Sequence, residues 1–296
     1  MTMLVNTKRP VSEGAEKWME VPIPVLDHGF VRLVDYMGND QAVTNAARTS
    51  YGKGTKTISD DEALIRTLMR DWHTSCFEMA EIKVHMKLPI FVARQIIRHR
   101  TANVNEYSAR YSVLENEFYI PAPEDLASQS LANKQGRDGI LHGEEAARVL
   151  DILRDDAARS YANYESMLST EGQDGLSREL ARMNLPVSVY TQWYWKTDLH
   201  NLLHFLRLRM DPHAQKEVRV YADALGQIVQ DWCPIVWSAF EEYRLNAMQL
   251  SATEIRILAR ALAGDTDIID ASFKSKRERS AFISKLEKLR KADVHK

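Results

Sequence analysis

The chain has 296 residues, 45% of them hydrophobic, with 39 Lys or Arg against 41 Asp or Glu and a formal net charge of −2. That length permits one large domain or two modest ones, and the near-neutral balance argues against a whole-protein electrostatic attraction to nucleic acid. Two cysteines without CxxC spacing, Cys76 and Cys233, argue against a disulfide framework or a cysteine-rich zinc site; with no signal-like N-terminus and no long apolar run, the expectation is a cytoplasmic protein outside the membrane.

In chain order, the first clear pattern begins at Ser59. Ser59 and Glu62 make a capping-box signature ahead of Leu64, Leu68 and Trp72, which recur on one helical face. "AEIKVHMKL" then alternates, with Ala80, Ile82, Val84, Met86 and Leu88 on one side and Glu81, Lys83, His85 and Lys87 on the other. That is the pattern of a half-buried strand. Pro89 suits the start of a helix, "PIFVARQIIRHR", on which Arg94 and Arg98 share a face, as do Gln95 and His99. "RHRTANVNEYSARYS" (Arg98 to Ser112) begins on that helix's last turn and runs into a loop.

"NEFYIP" reads as a short strand closed by Pro121. A polar region around Gln135 to Gly143 precedes a long helix carrying Val149, Leu153, Ala157, Tyr161, Tyr164 and Leu168, which "EGQDG" breaks. "LPVSVYTQWYW" fits an alternating strand with Val187, Val189, Thr191, Trp193 and Trp195 on one face. A helix from Asp198 to Met210 ends at Asp211-Pro212, and another from about Pro212 to Trp232 stops near Pro234. Ser251 and Glu254 make a second capping box, and the last 23 or so residues are strongly basic with an apolar stripe of Phe282, Ile283, Leu286 and Leu289. A basic surface helix or a nucleic-acid contact both fit that tail. Long helices alternating with a few separated strands suggest an α+β domain with a helical C-terminal extension.

His200 and His204 stand four apart on a helix with His213 nearby, which is ligand geometry, but no Glu follows His200 as HExxH needs, so the expectation is no metal. "YGKGT" lacks P-loop spacing and reads as a surface turn or a loop beside a cofactor. The segment from Arg98 is more informative. Arginine presents planar, bidentate donors for a phosphate or a pyrimidine carbonyl edge. Ser108 and its neighbouring amides can hold a phosphate in a turn. His99 can stack on a flat ring, and Glu106 can orient an arginine or accept from a ribose hydroxyl. The alternative is a solvated helix end, where cations favour the negative pole of the dipole.

Arg98-His99-Arg100, seven residues, then Ser108 resembles the signature of the flavin-dependent thymidylate synthases. "AARTSYGKG", "HTSCFEM", "PIFVARQ", "NEYSARYS", "EFYIP", "ARMNLP" and "LHFLRLRMDPHAQKE" also resemble family segments, from about Val31 to Trp237. Cys76 and Ile97 depart from the family pattern, which has a proline and, commonly, a bulky aromatic there.

The resemblance implies an α+β fold with a mostly antiparallel sheet flanked by long helices, a catalytic domain over residues 1–250 with a basic helical C-terminal extension over 251–296, and a homotetramer with active sites shared between subunits. It implies reductive methylation of dUMP to dTMP, with 5,10-methylenetetrahydrofolate as carbon donor and NADPH as reductant through bound FAD. Ser75, Arg98, His99, Arg100, Glu106, Asp198, His200 and His204 match cofactor-binding positions. Gln95, Arg98, Glu106, Ser108, Arg110, Arg182 and Arg209 match the dUMP site, with Arg209 the catalytic position that polarises the uracil. Such an enzyme needs no cysteine nucleophile, and both cysteines read as buried packing. Ser108, for which no base partner is assignable, reads as a substrate contact. A paralogue methylating UMP or another uracil nucleotide would share most of these residues, and a nucleic-acid-binding protein using the arginine loop and basic tail is the reading from another class.

Overall fold

The computed structural model describes residues 9–49, 61–130, 136–169, 174–264, 273 and 275–292. Ser59 of the first capping box and Ser50 to Thr55 of the glycine-lysine segment lie outside the described residues. The chain divides into two compact units, one ending at Phe240 and the other beginning at Glu241.

The first unit is built on an antiparallel sheet. Its strands are β1 (Pro22–Val25), β2 (Gly29–Met37), β3 (Glu81–Pro89) and β4 (Asn103–Glu106); a separate hairpin pairs β5 (Ala127–Gln129) with β6 (Arg137–Ile140); and β7 (Tyr190–Asp198) completes the sheet. The order is β1-β2-β3-β7-β4. In the β3–β7 register Val84 faces Trp195 and Met86 faces Trp193, so the two strands present one continuous apolar surface. Ile82, Val84, Met86, Leu88, Trp193 and Trp195 are all buried, while Lys83, His85, Gln192 and Lys196 are on the half-exposed opposite face. One covered and one solvated face is what strict alternation in an antiparallel sheet encodes.

The helices of this unit pack on the sheet or on one another. In chain order they are α1 (Glu13–Glu16), α2 (Asp40–Thr49), α3 (Asp61–Arg70), α4 (Ile90–Ile96), α5 (Gly143–Met167), α6 (Arg178–Ala181), α7 (Leu199–Arg209), α8 (Lys216–Trp232) and α9 (Pro234–Phe240). The central one is α8, whose Val218, Tyr221, Leu225, Ile228, Val229 and Trp232 are buried and which packs on β1, β2, α4 and α7. Gly29 is where the sheet comes closest to it. A Cβ there would fall 2.1 Å from Tyr221 Oη, and that hydroxyl donates to Lys87 O at 2.7 Å.

Several expectations are corrected. The buried stripe of α3 is Ile65, Leu68 and Met69, whereas Trp72 lies past the helix end at φ 63° and is exposed. "NEFYIP" forms one bridge, Phe118 to Val189, rather than a strand. β7 begins at Tyr190, leaving Val187 exposed. α8 begins at Lys216, because Asp211 to Ala214 form a turn held by Ala214 N donating to Asp211 O. Leu153 is part of the exposed face of α5, and Leu168 follows its last turn. The segment expected to be only a loop after Arg98 contains β4, an edge strand exposed at all four positions.

In the second unit, α10 (Ala252–Leu262) begins with a complete capping box. Ser251 Oγ accepts from Glu254 N, and the Glu254 side chain accepts from Ser251 N. Lys285 of α11 (Lys276–Ala292) donates to both Glu254 oxygens at 2.8 Å. Ile257 and Phe282 are buried, with the Phe273 ring tilted against Phe282 at a centroid distance of 5.5 Å, and Leu289 is exposed.

Candidate functional site

α4 buries Val92, Ala93 and Ile96 and ends there. Arg98 N then donates to Gln95 O and His99 N to Ile96 O, tighter turns that take Arg98-His99-Arg100 off the helix axis. This points the His99 ring at α7 and β7. Its centroid lies 5.5 Å from Phe205, 6.0 Å from His204 and 6.1 Å from Trp195. Burial, and then the neighbouring His204 and Arg209, hold its pKa below the usual imidazole value; Asp198 and a backbone hydrogen bond at Asn201 oppose them.

α7 is fixed at its start. Asp198 caps it, accepting from Asn201 N at 2.9 Å and Asn201 Nδ2 at 2.7 Å. Leu199 N donates to Ala80 O at 2.8 Å, which ties the helix to the short 3₁₀ turn Phe77–Met79 and the exposed Ser75 before it. The expectation that both cysteines are buried holds only for Cys233. Cys76, beside Ser75, is half-buried, and burial raises the pKa of both thiols.

Arg98 and Arg100 are exposed, and neither forms an ion pair with a carboxylate among the described residues. Unpaired guanidiniums beside two imidazoles suit a flat ring carrying phosphate groups, so this donor set fits a flavin dinucleotide. His204 faces His99. Among the described residues no group of three His, Cys, Asp or Glu side chains could hold a metal ion.

The second group assembles around α5. Ser108 opens a turn in which its carbonyl accepts from Tyr111 N and Ser112 N, and its hydroxyl from Arg110 N. Tyr161 Oη donates to Leu114 O at 2.9 Å and Tyr164 Oη accepts from Leu114 N at 3.3 Å, in a core cluster with Ala109, Phe118 and Ala181. α6 adds Arg178 donating to Tyr111 O and Glu179 accepting from Arg110 Nε, each at 3.1 Å. Arg182 follows α6 and is half-buried. Glu106, at the end of β4, accepts from Thr191 Oγ1 at 2.8 Å.

β4 therefore separates the two groups, spanning roughly 10 Å at ~3.4 Å per residue. No hydrogen bond, ion pair or ring contact joins Ser108, Arg110 or Arg182 to Arg98, His99 or Arg209 among the described residues. Gln95 has a different partner, Gln215, which in turn donates to the buried Glu217. Gln215 and Arg137 also line a cleft of about 720 Å³ beside the β5–β6 hairpin. Gln215 and Glu217 lie in the "HAQKE" segment, but no local sequence signal marks them, Arg137 or Tyr119 as a group; their side-chain contacts do.

A family model described as thymidylate synthase complementing protein matches residues 32–235. A flavin-dependent thymidylate synthase from Ruegeria pomeroyi is 62% identical over 92% of this chain and 90% of its own length. One from Gluconobacter oxydans is 56% identical over 95% and 92%. Among solved structures, the UMP/dUMP methylase PolB from Streptomyces cacaoi, bound with 5-Br UMP, superposes with a TM-score of 0.66 at 31% identity, covering 75% of this chain and 98% of that one.

Proposed function

The chain belongs to the family of flavin-dependent thymidylate synthases, and from that premise we propose that it methylates dUMP to dTMP, using FAD, NADPH and 5,10-methylenetetrahydrofolate. The observation that carries this reading is the meeting of the Arg98-His99-Arg100 turn with α7, which sets His99 against His204 and within the field of Arg209. Arg98, His99, Arg100, His200 and His204 would hold the flavin. Ser75 lies before the short turn to which the start of α7 is tied, and the Asp198 cap fixes α7 itself. When bound, FAD would supply the hydride that NADPH provides.

The nucleotide would be held by Gln95, Ser108, Arg110 and Arg182, with Arg98 touching both ligands. Glu106 Oε1 is engaged by Thr191, which leaves Oε2 for a ribose hydroxyl. Arg209 would stabilise negative charge on the uracil as its N3 proton leaves, so that C5 can attack the one-carbon unit without a thiol adding at C6. The raised thiol pKa values of both cysteines agree with a route that does not use them.

β4 separates the arginine-histidine group from the Ser108 group, and no hydrogen bond, ion pair or ring contact connects them among the described residues. We read this as two halves of sites completed across subunits, in a homotetramer. A cytoplasmic location is consistent with the two unpaired cysteines, and among the described residues no helix is long and apolar enough to cross a membrane. The decisive test is complementation of a thymidine auxotroph together with in vitro turnover. The purified protein should be yellow and should convert dUMP to dTMP. A protein that cannot be loaded with FAD, or that fails to complement, would overturn the reading. A structural neighbour acts on UMP as well, so competition between dUMP and UMP decides the preferred nucleotide; dUMP is expected to win.

A further inference from the structure

Gln95 lies on the last turn of α4, and its Nε2 donates to Oε1 of Gln215, at the N-cap of α8. Gln215 Nε2 donates to Glu217 Oε2 at 2.9 Å. Glu217 is 2% exposed. Its carboxylate also takes Arg137 Nη2 on both oxygens, and Tyr119 Oη on Oε1 at 3.1 Å. Burial pushes the Glu217 carboxyl up, but the hydrogen bonds from Arg137 and Gln215 outweigh it and keep the group ionised.

The direction of this chain of bonds is chemically determined. A primary amide has one accepting and one donating end, and either can face a neighbour at little cost. An ionised carboxylate can only accept. Glu217 therefore turns the nitrogen of Gln215 toward itself and its oxygen toward α4. That oxygen in turn draws the nitrogen of Gln95 inward. The Gln95 oxygen, which has no partner among the described residues, faces away from Gln215.

We propose that Glu217 and Gln215 are positioning residues for the nucleotide site: the buried carboxylate fixes the amide of Gln95 so that its carbonyl oxygen accepts from an N–H or O–H of the bound nucleotide, either the uracil N3–H or a sugar hydroxyl. This rests on the placement of Gln95 in that site. Arg137 from β6, Tyr119 from the segment after β4 and Glu217 from α8 converge from distant parts of the chain, so the relay is anchored at its buried end. Gln95, at its other end, is half-buried and within reach of a ligand.

The test compares Gln95→Met, Gln215→Met and the double variant of the flavin-loaded full chain, with dUMP binding measured by titration calorimetry. Gln215→Met removes both amide ends and leaves the Glu217–Arg137–Tyr119 cluster intact. It should weaken dUMP binding about fivefold, the worth of one neutral hydrogen bond, and raise KM with kcat unchanged. The flavin spectrum and melting temperature should not move. The double variant should bind no worse than Gln95→Met alone, because the two residues act in series. Glu217→Gln should weaken dUMP equally, but it also strands Arg137 and can fail to fold, so the Gln215 variant decides. If Gln95→Met weakens dUMP while Gln215→Met does not, or if their losses add, the relay is wrong and the site reading stands. If neither changes binding, Gln95 is outside the nucleotide site and the proposal falls with that placement. A melting-temperature drop in Gln215→Met that accounts for the binding loss would make the role structural and overturn it.

Discussion

The imidazoles of His99 and His204 face each other at a centroid distance of 6.0 Å with their planes 35° apart, joining the turn after α4 to α7, which is distant in sequence. Burial first, and then the charges of the neighbouring His204 and Arg209, hold the His99 pKa below the ordinary 6.5. His99 is therefore neutral at pH 7.

This gives a pH prediction with a definite sign. Below pH 6.5 the unfolded chain binds a proton at His99 more readily than the folded chain does. The contribution of His99 to stability is therefore present above pH 6.5 and is lost as pH falls from there through the lower folded-state pKa. NMR titration of the His99 ring should show a midpoint below 6.5, and His204→Asn should move it upward. A midpoint that stays put in His204→Asn would show that the facing ring has no electrostatic influence.

Arg209→Ala is expected to keep FAD bound, lose most dUMP affinity and lower kcat by roughly 10²–10³-fold, the range seen when one donor to a developing anion is removed. Flavin absorbance and steady-state kinetics check this. Full turnover in the variant would remove Arg209 from the chemistry.

Cys76→Ala and Cys233→Ala, singly and together, are expected to retain dTMP formation. Cys233 is buried, Cys76 is half-buried, and burial raises both thiol pKa values, so neither is set up as a nucleophile. Loss of turnover in Cys76→Ala with flavin still bound would point to a thiol-dependent route.

Tyr161→Phe removes the hydroxyl that donates to Leu114 O. A buried carbonyl left without a donor costs about 1–3 kcal/mol. Melting should fall by roughly 2–4 °C per kcal/mol in a unit of this size. Because Leu114 closes the loop carrying Ser108 and Arg110, KM for dUMP should rise more than kcat falls. Unchanged KM would separate the α5 anchor from the nucleotide loop.

How much of the fold can be read from the sequence depends on where burial follows a simple period. β3 and β7 could be read because one face is covered and the other solvated, so Ile82, Val84, Met86, Trp193 and Trp195 alternate with polar residues. β2 is harder, since an irregularity between Leu33 and Asp35 shifts its phase, and Tyr36 rather than Asp35 becomes the next buried side chain. β4 carries no pattern because it is an edge strand exposed on both faces. Trp72 shows the opposite failure: it matches the helical spacing, but the chain leaves the helix before reaching it.

The sequence by itself determined the residue types of the site. The Arg98-His99-Arg100 and Ser108 spacing, with Arg209 at the end of a helix capped by Asp198, specifies guanidiniums, imidazoles and hydroxyls, and those groups are local properties of the chain. The tertiary structure alone decided what each of them faces. Gln95 meets Gln215 across 120 positions, His99 meets His204, and an edge strand keeps the Ser108 group apart from the arginine turn. These pairings depend on how α4, α7 and α8 pack on one sheet. Long-range packing is selected by the summed burial of many side chains, and no short stretch of sequence records that sum.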